Sequence, residues 1–136
     1  MISGFTGELA DRLAIRERIE AYNDAVFRRD AEDWAACWAE DAVWEVAGQR
    51  AEGRAAIKAL WLQLMAGFEA VGMYVNHGAV AVEGDAATSR SYMLEVMKEV
   101  GGTERLVVGR YDDHLRRDPD GAWRFTSRAY SVLQVR

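Results

Sequence analysis

The chain of 136 residues is half hydrophobic and 29% charged, the size and balance of one folded domain over residues 1–136 and not of a disordered or fibrous chain. Seventeen Lys and Arg against 22 Asp and Glu leave a formal charge of −5, and the basic residues lie scattered among acids, which argues against a phosphate-tracking patch and a nucleic-acid partner. One cysteine, Cys37, and two histidines, His77 and His114, exclude an intramolecular disulfide framework and a Cys/His zinc site of the usual ligand number. No metal or cofactor is predicted, and the expected compartment is the cytoplasm. The opening Met1-Ile2-Ser3-Gly4-Phe5 has no basic stretch of the signal-peptide kind, and no apolar run approaches the ~20 residues that cross a bilayer, so no membrane association is expected.

From Thr6 onward, Leu9, Leu13, Ile15, Ile19, Tyr22 and Val26 recur at mostly three- and four-residue steps, with Arg12, Arg16, Glu17 and Glu20 opposite. This predicts an amphipathic helix with Thr6 as its N-cap. Asp30 precedes a second, short helix whose first turn is acidic and whose apolar stripe is Trp34, Cys37 and Trp38. A short strand over 42–46 closes in a turn at Gly48-Gln49, and a third helix is expected over 54–70, with Ile57, Leu60, Trp61, Leu64, Met65 and Phe68 at helical spacing. Four β-branched and aromatic runs follow, at 72–82, 86–100, 104–115 and 122–135. Glu83-Gly84-Asp85, Gly101-Gly102-Thr103 and Asp118-Pro119-Asp120-Gly121 separate them, which predicts an antiparallel meander. Several runs are about twice the usual strand length, so bulges and strong curvature are expected. The predicted fold is α+β: three N-terminal helices packed on the concave face of a strongly curved, mostly antiparallel sheet, a cone with an open mouth.

Several strings appear in a telling order: Arg29-Asp30-Ala31-Glu32-Asp33-Trp34, then Trp38-Ala39-Glu40-Asp41-Ala42-Val43-Trp44 and Glu52-Gly53-Arg54-Ala55-Ala56-Ile57. After them come Val82-Glu83-Gly84-Asp85-Ala86-Ala87-Thr88, Gly109-Arg110-Tyr111-Asp112-Asp113 and Gly121-Ala122-Trp123-Arg124-Phe125. Over nearly the whole chain this resembles the SnoaL-like branch of the nuclear transport factor 2-like superfamily, the cystatin-like α+β cones. The resemblance implies the fold; for function it implies a range, from dehydratases, isomerases, polyketide cyclases and dehalogenating lyases to hydroxylating subunits and plain binding modules. Members that eliminate water or halide commonly use a His–Asp dyad inside the cone. Counting back from Trp44, the position matching that Asp is Phe27; counting back from Glu83-Gly84-Asp85, the position matching the His is Met73, and His77 falls where the family often has Asn. Both members of the dyad are missing. The resemblance also implies a homodimer formed through the sheet, for which Arg128, Tyr130 and Val132 of the last strand are read as outward surface.

The remaining candidates for chemistry are few. His77 is the side chain best suited to proton transfer near neutral pH; the alternative is a structural histidine. Glu95 alternates with Met93 and Met97, which marks it as a candidate buried acid and as the carboxylate partner of His77. Tyr92 or Tyr111 would donate to a developing oxyanion. Tyr22, Phe27, Trp44, Met73, Asn76 and Tyr111 are expected to line an apolar chamber, together with Trp61 and Met65 if these helix residues are not plain core. Asp112, Asp113 and His114 alternate between strand faces and suggest no metal cluster, and Arg110 with Asp112 reads as a surface ion pair or as a distant echo of the Arg-x-Asp pair of epoxide hydrolases in this superfamily. The functional expectation is a protein that binds a hydrophobic or aromatic small molecule in an internal cone-shaped pocket, with cofactor-independent acid-base catalysis of the dehydratase, isomerase or cyclase type. The alternative is a non-catalytic ligand-binding or assembly module that has lost the dyad.

Overall fold

The computed structural model describes residues 4–136. The chain runs through β1 (Phe5–Thr6), α1 (Leu9–Arg28), α2 (Ala31–Ala36), β2 (Trp38–Val46), β3 (Gln49–Glu52), α3 (Arg54–Met65), β4 (Phe68–Glu83), β5 (Ala86–Glu99), β6 (Glu104–Arg117) and β7 (Trp123–Val135). All seven strands form one sheet in the order β1-β4-β5-β6-β7-β2-β3. The four long strands make the expected antiparallel meander, while β1 adds parallel to β4 and β2 adds parallel to β7. Register breaks at Phe68/Ala70 and His77/Val80 on β4, and at Val108/Gly109 and His114/Leu115 on β6, supply the curvature that strands of 13 to 16 residues need. The sheet does not close, and the helices pack on its concave face.

Thr6 is not the N-cap of α1. It pairs with Ala81 on β4, and Glu8 caps the helix without a side-chain bond. Between them Gly7, at φ +97°, passes so near Val82 that a Cβ would lie 2.7 Å from the valine Cβ, so only glycine lets the chain leave the sheet edge and turn into the helix there. At its other end α1 closes on Arg29 in the left-handed conformation, with the Arg29 and Asp30 amides donating to Val26 and Ala25 carbonyls, a Schellman arrangement. A non-glycine residue at such a φ is costly; the Arg29 guanidinium offsets the cost by donating to the Met65 and Phe68 carbonyls at 3.1 and 2.6 Å. The Asp30 carboxylate accepts from the Asp33 amide at 2.9 Å, so α2 is capped as expected.

Several boundaries differ from the sequence reading. Helix α2 stops at Ala36, so Trp38 opens β2, four residues before the expected strand, instead of completing the helix's apolar stripe. The turn at Ala47-Gly48, both at positive φ, returns the chain as β3 against β2, a tight hairpin. The strand formers one looks for are absent from Gln49-Arg50-Ala51-Glu52, and Arg50 instead bonds across to Glu45 and along to Glu52. Helix α3 stops at Met65 rather than running to residue 70, because Arg29 takes the carbonyls beyond it and Gly67 breaks the pattern; Phe68 already pairs with Glu99 in the sheet.

All five tryptophans are buried. Trp34 stacks on Trp61 with centroids 4.7 Å apart and is ringed by Trp38, Trp44 and Tyr22, contacts worth roughly 0.5–1.5 kcal/mol each beyond the area they bury. Beneath this cluster lies a buried ion pair. Arg128 donates to both Asp113 oxygens at 2.7 and 3.2 Å, and Ser89 donates to the same carboxylate. The guanidinium sits 3.7, 4.3 and 4.4 Å from the ring centroids of Tyr111, Phe125 and Tyr22. Arg128 and Tyr130 therefore face the interior, contrary to the surface placement expected of them. The register break opposite Thr126 shifts the in-out alternation of β7 by one residue, so that Phe125 and Arg128 both point inward. No helix among the described residues is long and apolar enough to cross a membrane.

Candidate functional site

Between α1, α3 and β2 on one side and β4–β7 on the other lies an open cavity of about 210 Å³. Of the residues expected to line a chamber, Tyr22, Trp44, Trp61, Met65, Met73 and Tyr111 do so. Phe27 and Asn76 do not. Phe27 is 48% exposed and lies over Gly72 with its ring edge against Tyr74, at the free edge of β4. Asn76 is exposed and pairs with Tyr92; both lie on the opposite sheet face from Met73 and Glu95, by the period of two along each strand.

The floor of the cavity is polar but internally satisfied. Trp44 Nε1 donates to the Tyr111 hydroxyl at 3.0 Å, and the Tyr22 hydroxyl lies 3.4 Å from it. Burial raises the pKa of both phenols, so they stay protonated at neutral pH.

Glu95 is different. It projects from β5 between Met93 and Met97 and lines the cavity, and among the described residues none donates to its carboxylate with hydrogen-bond geometry. Burial drives its pKa from the ordinary 4.5 up to about 7, against the smaller opposing pulls of the Tyr130 hydroxyl and the Arg105 charge. Arg105, on β6, is already engaged by Glu99 at 3.2 Å. A carboxyl in this state is present in both forms at neutral pH, which is what a general acid or base requires.

His77 does not partner Glu95. Its Nε2 lies 2.9 Å from Glu20 Oε1 on α1, and Nδ1 is buried without a partner. Met73 is directly opposite Glu95 in register, whereas His77 pairs with Ser91, four residues and about 13 Å further along the strand. Tyr92, on the outer face, cannot serve this cavity either. Arg110 and Asp112 form a half-exposed ion pair at 2.9 Å, and His114 is exposed. Sequence reasoning missed Tyr130, whose ring tilts against Tyr111 with centroids 5.0 Å apart and which lines the cavity; only the shifted alternation of β7 reveals it.

The model of the SnoaL-like domain matches residues 7–129. The chain belongs to the SnoaL-like family. An uncharacterized protein of Mycobacterium tuberculosis is 29% identical to this SnoaL-like chain over 125 residues, covering 89% of it and 84% of the relative. Among solved structures, a protein of Novosphingobium aromaticivorans provisionally named scytalone dehydratase superposes with a TM-score of 0.86 at 21% identity, covering 94% of this chain and 87% of its own. A second from the same organism, provisionally named an aromatic ring hydroxylase, gives 0.84 at 29% identity, with 95% and 93% coverage. A type 2 hexachlorocyclohexane dehydrochlorinase gives 0.86 at 22% identity, with 94% and 88% coverage. Likenesses at 21 and 22% show that this SnoaL-like chain shares their cone fold.

Proposed function

We propose that this SnoaL-like domain binds a small, mostly apolar molecule in the cavity and moves a proton on it through Glu95, without a cofactor, as a lyase or isomerase. One observation carries the reading: a single carboxyl, that of Glu95, lines a mostly apolar chamber with no hydrogen-bond donor of full geometry among the described residues, and burial pushes its pKa up to about 7. In the ionised form Glu95 accepts a proton from the ligand; in the neutral form it returns one to another atom of the same ligand or to a leaving group. The apolar walls keep water from competing and hold the ligand by contact area. A dry cavity of ~150 Å³ takes benzene, so about 210 Å³ suits one substituted ring or two fused rings. Dehydratase and dehydrochlorinase names among the structural neighbours are in keeping with this class of chemistry.

A second reading, a binding or assembly module, is favoured by Phe27 and Met73 standing at the positions of the family's dyad. Native mass spectrometry of the purified protein separates a retained ligand from an empty chamber. Solvent-deuterium incorporation into that ligand separates catalysis from storage: incorporation lost in Glu95→Gln, with the ligand still bound, is the expected result. Equal incorporation in both proteins would remove Glu95 from the chemistry. We also place the protein in the cytoplasm, in keeping with a lone buried thiol, and propose a homodimer formed through the outer face of the sheet.

A further inference from the structure

Strands β5 and β7 are not neighbours; β6 lies between them, so side chains on β5 and β7 start about 10 Å apart at 4.8 Å per strand. A β7 side chain meets one on β5 only by lying flat across β6. Tyr130 does this. Its ring crosses Gly109, the residue diagonal to it on β6, so closely that a Cβ there would stand 2.3 Å from the phenol oxygen and 2.4 Å from Cζ. Gly109 itself pairs with Met93, two residues from Glu95 on the same face of β5. The phenol oxygen is buried and has no hydrogen-bond partner of full geometry, while Tyr130 and Glu95 line the same cavity.

We propose that Tyr130 is the positioning residue for Glu95, and that Gly109 supplies the notch through which its phenol reaches across β6 to the carboxyl. This rests on the reading of Glu95 as the acid-base group. The hydroxyl favours the carboxylate over the acid, and so restrains the rise that burial imposes on Glu95. The other groups that face Glu95 are Arg105 and Tyr111, both on β6; neither depends on the notch. Gly109 has an ordinary φ for any residue, so its need is for space and not for backbone freedom.

The test is a carbon-13 NMR titration of the Glu95 carboxyl in the full chain, which needs no substrate. Tyr130→Phe keeps the ring and the packing, and is expected to raise the Glu95 midpoint by half a pH unit or more. Gly109→Ala evicts the phenol and is expected to raise it similarly. The double variant should move it no further than either single one, because both act through one contact. An unmoved midpoint in Tyr130→Phe overturns the proposal, as does a double variant in which the two shifts add. A wild-type Glu95 that titrates near 4.5 would instead overturn the acid-base reading beneath it, so the two failures are told apart. Should Gly109→Ala fail to fold, the Tyr130→Phe titration decides alone.

Discussion

Glu95 shows what a single position can and cannot disclose. Its alternation with Met93 and Met97 is visible in the sequence and correctly puts it on the inward face of a strand. The sequence also suggests His77 as its partner, and that this is wrong was not legible, because which residues share a row depends on hairpin register and on the bulge at His77/Val80. The state of the carboxyl has a consequence for stability. A group that holds its proton more tightly when folded than when unfolded stabilises the fold fully below the unfolded value of about 4.5, and that contribution is lost as pH rises through the folded value of about 7. At roughly 1.4 kcal/mol per pH unit the loss is on the order of 3 kcal/mol. Urea denaturation of wild type and Glu95→Gln at pH 4.5 and at pH 8 should show the variant gaining about that much relative to wild type between the two. A constant difference across the range would mean that the carboxyl is not desolvated as described.

At the level of elements, the hairpin signals located all four long strands, and the predicted bulges occur. What could not be read was where the bulges fall. One extra residue at Thr126 turns Arg128 from an apparent surface cation into a fully buried charge. Strand β3 escaped notice for a related reason: its residues have low strand propensity, and it exists because the Ala47-Gly48 turn and the Arg50–Glu45 ion pair hold it to β2. The buried pair yields its own test. Asp113→Asn leaves the guanidinium of Arg128 unpaired among aromatic rings and should cost about 3–5 kcal/mol by chemical denaturation, whereas replacing both partners with apolar residues of similar volume should recover much of that. A loss below about 1 kcal/mol for Asp113→Asn would show the pair to be hydrated rather than enclosed.

For the whole molecule, the resemblance visible in the ordered motifs gave the cone and its layers, and the family match now states it. The outer face of the sheet carries Tyr74 beside Leu94, and Val96 beside Leu106, all substantially exposed and adjacent in register. A contiguous apolar patch of this kind is in keeping with the homodimer proposed above, in which an isologous pairing would cover it with one surface. Light scattering at micromolar concentration is expected to report twice the 15.2 kDa chain mass, and Leu94→Asp with Leu106→Asp to halve it. A wild-type monomer would dismiss the sheet dimer.

The guanidinium of Arg29 ties the end of α1 to two carbonyls, those of Met65 and Phe68, and both of these residues also border the cavity. That portion of the wall is consequently fastened through the main chain to an element outside it. Side chains there can swing, but the backbone cannot yield without breaking two hydrogen bonds and freeing a residue held in a left-handed conformation. For the ligand proposed above, this tether would set a limit on width at that stretch of wall that side-chain movement alone does not relieve.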